Sequence, residues 1–96
     1  MREENLMDND FESAKFRIQE LHSNFFKTLN EHSKQKLTPL NLKYCSYIYL
    51  GLDTKQIATL LNIEPKSVRI TKYRLKQKFG LVKEDELYTF FHRIIA

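Results

Sequence analysis

Residues 53–80 run DTKQIATLLNIEPKSVRITKYRLKQKFG. Asp53 stands just ahead of an apolar period, and Gln56 follows three places later. A short acidic side chain and an amide at that spacing can cap the first backbone N–H groups of a helix reciprocally. Ile57, Leu60 and Leu61 then fall on one helical face, with Ala58 beside them. Asn62-Ile63-Glu64 breaks the period and reads as a tight turn, with Ile63 as an apolar plug into the core. Pro65, suited to a first helical position, opens a second helix that runs to about Phe79 and is closed by Gly80. Two helices joined by so short a turn make a helix-turn-helix. The small Ala58 lets them cross closely, while Val68, Thr71, Leu75 and Phe79 share the side that pins the second helix down.

The other side of that helix carries the chemistry. At about 100° per residue, Lys66, Arg69, Ile70, Tyr73 and Gln77 share one stripe, flanked by Arg74 and Lys76. Between Pro65 and Lys78 there are six basic residues and no acid. A merely solvated helix mixes signs, so a single-sign face asks for a polyanion. Arg69 can bond a guanine edge in bidentate fashion, Ile70 can meet a thymine methyl, and Tyr73 can reach a base edge or a phosphate. Lys55, Lys66, Lys72, Arg74 and Lys76 suit phosphate contacts, which fix position without reading sequence. Thr54 and Ser67, in the first turns of the two helices, join them as candidate backbone contacts, and the helix N-termini near Asp53 and Pro65 add amides that favour anions.

Upstream, Thr38-Pro39 opens a helix with an N-cap and a first-position proline. Its apolar side is Leu42, Cys45, Ile48, Tyr49 and Leu50, and Gly51 is its expected left-handed end. Cys45 lies in that stripe as an inert core thiol. A polar connector, His32 to Leu37, precedes it. Further back, Met7, Phe11, Ala14, Ile18, Leu21 and Phe25 recur at alternating fours and threes, a helical seam with Asp8 as its candidate cap. That seam suits intramolecular packing and dimerisation equally, the second through Met7, Phe11, Ile18 and Leu21. Ser23 is placed to cap a short helix over 24–31. A last helix is expected from about Glu84 to Ile95, with Leu87, Phe90, Phe91, Ile94 and Ile95 as its apolar residues.

Composition narrows the rest. The chain has 96 residues, 42% hydrophobic and 29% charged, enough for one domain and too apolar for disorder. Two glycines and two prolines favour helices over the many turns of an all-β fold. The net charge of +4 hides an asymmetry: residues 34–78 hold ten Lys/Arg against two Asp/Glu. The single cysteine fits a reducing cytoplasm. No apolar run approaches the ~18–20 residues of a membrane span, and the N-terminus lacks a secretion pattern. Histidines 22, 32 and 92 are scattered without partners at metal-ligand spacing, and there is no phosphate-cradling glycine loop or activated nucleophile. Neither an enzyme nor a cofactor is expected.

With these residues in view, the chain resembles the LuxR/GerE-type C-terminal DNA-binding domain. The likeness lies in Leu37-Thr38-Pro39, in the run Gly51 to Ala58, in the run Leu61 to Val68, and in Lys78-Phe79-Gly80-Leu81. It spans about 37–95. What it implies is a four-helix domain of the winged-helix-like superfamily whose third helix reads the major groove, usually as a homodimer on paired half-sites. In that pattern Arg69, Ile70 and Tyr73 match base-facing positions, and Lys55 and Lys72 match positions that tend to meet the backbone. Glu64 replaces the usual Ser or Thr, Thr71 stands where His is common, and Tyr73 where a short polar or basic residue is common. These departures bear on the target sequence more than on binding. The order of a coiled helix, a Phe-rich helix and then this domain is similar to the C-terminal part of large sensor-regulators. The chain is therefore expected to be a C-terminal piece with sensor domains upstream and Ala96 near a natural end.

The expectation is thus an all-α protein, a helical extension over 1–33 followed by a helix-turn-helix domain over 37–96. Its expected work is sequence-specific binding of double-stranded DNA by a cytoplasmic transcription regulator. The rival is a helix-turn-helix scaffold used for protein contacts. A third reading, region four of a sigma factor, shares the turn but gives no reason for Lys78-Phe79-Gly80-Leu81.

Overall fold

A computed structural model describes residues 3–95, with side chains placed from residue 11 onward. Six helices follow one another with no strand among the described residues: α1 Glu3–Leu21, α2 Phe25–His32, α3 Pro39–Tyr49, α4 Thr54–Leu61, α5 Pro65–Lys78 and α6 Leu87–Ile94.

Local chemistry explains most of the boundaries. Thr38 Oγ1 accepts the Asn41 N–H at 3.0 Å while Asn41 Oδ1 accepts the Thr38 N–H at 3.1 Å. The Asp53–Gln56 pair does the same ahead of α4, at 2.8 and 2.9 Å. Both boxes satisfy N–H groups that a helix start leaves unpaired. Three helices end alike. Gly51, Asn62 and Gly80 have φ of 94°, 58° and 72°. Behind each, the next residue's N–H reaches back five places: Leu52 to the Tyr47 carbonyl, Ile63 to Ala58 and Leu81 to Lys76, at 3.0, 3.0 and 2.8 Å. This is the Schellman closure, and it needs a left-handed residue at the corner.

Several boundaries differ from the sequence expectation. Because α1 begins at Glu3, Asp8 lies inside the helix instead of capping it. Asn24, not Ser23, precedes α2, and its side chain makes no cap bond. The last helix starts at Leu87 because Asp85 closes a turn on Val82. Its carboxylate accepts the Val82 N–H at 3.1 Å and its own N–H donates to the Val82 carbonyl at 3.0 Å. Ile63 is not a core plug. It is 39% exposed, and its backbone N–H holds the turn in place of its side chain.

One core runs through the described chain. Ile18 of α1, Phe25 and Leu29 of α2, Tyr44 and Cys45 of α3, Ile57 of α4, Val68 and Leu75 of α5 and Phe91 of α6 are all buried in it. Phe11 meets Tyr47 edge-on at 6.2 Å, and Phe25 meets Tyr49 at 5.1 Å, so α1 and α2 both lean on α3. Phe79, just past α5, packs on Phe90 and Phe91 at 5.4 Å each. Ser46, buried among these apolar groups, is satisfied by donating to the Leu42 carbonyl at 2.9 Å. Burial pushes the Cys45 thiol up to about 12, against the opposing pull of the Lys78 charge, which makes it the inert thiol its position suggested.

The connector between α2 and α3 is fastened to the end of α5. The Lys34 N–H donates to the Lys78 carbonyl at 2.7 Å. Lys78 Nζ in turn donates to the Lys36 carbonyl at 3.1 Å and to Asn41 Oδ1 at 2.6 Å. The Lys34 stem lies over Gly80, where a Cβ would strike it. No helix among the described residues is long and apolar enough to cross a membrane.

The helical seam in α1 resolves largely toward packing within the chain. Ile18 is 1% exposed and Phe11 is packed on the core, so Ile18 is unavailable to a second chain, whereas Leu21 is 70% exposed. Met7's side chain lies outside the described residues. Ile18→Ala should therefore lower stability by about 2–4 kcal/mol in chemical denaturation, while Leu21→Ala should change it by under ~0.5 kcal/mol. Equal effects of the two would contradict this placement. Asp53→Ala should cost about 1 kcal/mol by the same measurement, through loss of the box at α4.

Candidate nucleic-acid interface

The surface of interest is built on α5, and what holds α5 in place is on its inner side. Val68 and Leu75 are fully buried, Phe79 is 4% exposed, and Thr71 is half-buried beside them. These lie within one wedge of the helix, which leaves the rest to solvent. There Lys66, Arg69, Ile70, Tyr73, Arg74 and Gln77 are exposed, Ile70 by 42% and Tyr73 by 58%. The five residues of the expected stripe and the flanking Arg74 are thus exposed, while the other flanking residue, Lys76, is half-buried.

The dimensions suit a nucleic-acid groove. A helix of 14 residues is about 21 Å long and, with side chains, about 10–12 Å across. The B-DNA major groove is about 12 Å wide. Ile70 and Tyr73 stand near the middle of the stripe, Lys66 near its start and Gln77 near its end, so a groove following α5 passes all of them.

The candidate phosphate contacts divide into two groups. The Lys55 and Lys66 ammonium groups and the Arg74 guanidinium are exposed and make no hydrogen bond to another described residue, and Ser67 is likewise exposed in the first turn. Lys72 and Lys76 are already engaged. Lys72 Nζ donates to Thr54 Oγ1 at 2.9 Å, which joins two expected contact residues to each other across the turn. Burial lowers the pKa of Lys72, the nearby Asp53 carboxylate raises it, and the Lys76 charge lowers it again. Lys76 Nζ donates to the Lys83 carbonyl at 3.0 Å and so ties the helix to the segment beyond it. Glu64, ahead of Pro65, makes no cap bond with its side chain, and the Ser67 N–H turns back to the Glu64 carbonyl at 2.9 Å.

Two features escaped sequence reasoning. The segment after Gly80 comes alongside α5, so that Leu81, Val82 and Lys83 line the same hollow as Arg69, Tyr73 and Gln77. Only the Lys78-Phe79-Gly80-Leu81 closure hinted at this, since it turns the chain back at that point. The histidines, scattered in sequence, also partly gather. His92 stacks on Tyr49 at 4.1 Å with the rings 9° from parallel, and His22 meets the same ring edge-on at 5.8 Å. His92 Nε2 lies 2.8 Å from the Tyr49 carbonyl, a bond the Nε2–H tautomer makes as donor. This contact covers a carbonyl at the end of α3. Among the described residues no group of three or more His, Cys, Asp or Glu is arranged to hold a metal ion.

Comparison with known proteins agrees with this architecture. The GerE family, described as bacterial regulatory proteins of the luxR family, matches residues 35–91, from the connector ahead of α3 into α6. Searches among curated proteins and among solved structures gave no match. With more than half of its length matched, and with an all-helical fold around a helix-turn-helix, the chain belongs to the luxR family of bacterial regulatory proteins.

Proposed function

We propose that this chain binds double-stranded DNA in a sequence-specific way, as the DNA-reading part of a transcription regulator, with α5 seated in the major groove. The observation that carries the proposal is the outer side of α5. It holds a run of exposed basic and bonding side chains without one acid, on a helix whose inner side is locked to the body. Membership of a family of bacterial regulatory proteins supports the same reading.

In this reading Arg69 reads a guanine edge, Ile70 meets a thymine methyl, and Tyr73 reaches a base edge or the adjoining phosphate. Lys55, Lys66, Ser67 and Arg74 fix the register on phosphates. Lys72 and Thr54 act as a joined pair, since the hydroxyl that orients the ammonium leaves two of its protons for a phosphate. Lys76 contributes charge while it braces the following segment. The work is that of a cytoplasmic protein, with sensing left to domains elsewhere in a longer chain. Homodimerisation on paired half-sites is part of the proposal. Among the described side chains of the α1 seam, Leu21 is exposed and available to serve it.

The test is titration of the 96-residue protein with mixed-sequence duplex DNA over a salt series, followed by selection of bound sites from a random pool. Lys66→Ala should weaken all sequences alike and flatten the salt dependence by about one unit of slope. Arg69→Ala should cost about 1–3 kcal/mol on the selected site and relax the preference at one base pair. Absence of duplex binding at low salt, or an Arg69→Ala protein that selects the parent's sequence, would hand the scaffold to a protein partner instead.

A further inference from the structure

The hollow between α5 and the segment after Gly80 shares Arg69, Tyr73 and Gln77 with the stripe on α5 and is closed on its other side by Leu81, Val82 and Lys83. It has a volume of about 410 Å³, and its eight lining residues include four cations and no carboxylate. Resting on the DNA-binding reading above, we infer that this hollow is the track for one sugar–phosphate strand of the duplex, with Val82 and Lys83 as DNA contacts.

Three observations support it. The first is charge. Arg69 and Lys72 stand on the helix side and Lys83 on the opposite lip, so an anion entering the hollow is flanked by cations from two elements. None of the three acids that follow Lys83 in sequence is among the hollow's lining residues. The Asp85 carboxylate is turned back onto the Val82 N–H, and Glu86 lines a separate hollow with Asp53, on the other flank of Lys72 and Lys76.

The second is shape and polarity. Tyr73, Leu81 and Val82 give the hollow an apolar wall between its cationic edges. A nucleic-acid strand has the matching pattern, with deoxyribose C–H surface between phosphates. An extended acidic peptide would meet the cations and leave the wall without a partner.

The third is rigidity. Val82 is a β-branched apolar residue left 60% exposed, yet its segment is fastened at each step. Leu81 N–H donates to the Lys76 carbonyl at 2.8 Å, Val82 N–H to Asp85 Oδ2 at 3.1 Å, and Lys76 Nζ to the Lys83 carbonyl at 3.0 Å. The last bond uses the Lys83 backbone and leaves its ammonium unengaged among the described residues. A surface ordered in advance loses little entropy when a partner arrives.

The experiment uses the full 96-residue protein and a labelled mixed-sequence duplex over a salt series. Both side chains are exposed, and circular dichroism checks that each variant keeps its helices. Lys83→Ala should lower the slope of log affinity against log salt by about 1, with the sequence selected from a random pool unchanged. Val82→Asp should weaken binding by roughly tenfold, since it sets a carboxylate against phosphates. Lys27→Ala, which removes an exposed charge on α2, should leave the slope as in the parent. If Lys83→Ala matches Lys27→Ala while Arg69→Ala still weakens binding, the strand does not pass through the hollow, and an acidic protein becomes its better occupant. If the parent itself does not bind duplex, the DNA reading fails and takes this inference with it.

Discussion

Between α4 and α5 a single residue, Asn62, holds φ 58° and ψ 48°, in the small left-handed region that most side chains avoid. Its position decides how α5 leaves α4. With Asn62 there, the Ile63 N–H can reach the Ala58 carbonyl, α4 ends after eight residues, and Pro65 begins α5 almost at once. Asparagine tolerates this region better than other non-glycine residues because its short polar side chain can bond locally. The inner residues of α5 then determine its rotation, and that rotation in turn determines which side chains face outward. A helix rolled by a quarter turn would bring Lys72 or Arg74 to the centre of the stripe in place of Tyr73.

Features confined to a few neighbouring residues were legible in the sequence. The Asp53–Gln56 box, the Thr38-Pro39 opening and the glycine ends at 51 and 80 each involve groups within about five positions, so residue type and spacing suffice to read them. The stripe on α5 was legible for the same reason, because helical rotation is fixed once the helix is. Legibility failed where a second element decides the outcome. Periodicity identifies Ile18 as belonging to an apolar face but does not say whether α3 or another chain covers it. Ile63 looked like a plug because it is the one apolar residue in the turn, yet the corner geometry uses its N–H. The acids at 84–86 looked like the first turn of a helix, until Asp85 is seen to bond Val82. Thr54 and Lys72 were each read as free to meet a phosphate, and only the crossing of α4 and α5 brings them to 2.9 Å.

The N-terminal helices have a closer relation to the regulatory domain than an appended segment would have. Phe25 and Leu29 are fully buried in the same core as Phe91, and the connector that follows α2 is bonded to the last residue of α5. Whatever pulls on α2 therefore also acts on the end of α5, through Lys34, Lys78 and Asn41. Packed cores transmit small shifts because they have little free volume to absorb them.

The chain's one sulfhydryl has a practical meaning that follows from its depth. Cys45 is fully enclosed, and the nucleophilic thiolate form is strongly disfavoured there. A thiol reagent can reach it only when α3 parts from its neighbours, so the speed of alkylation counts openings of the interior. Because no other cysteine competes for the reagent, the native protein carries its own clock for excursions away from the folded state.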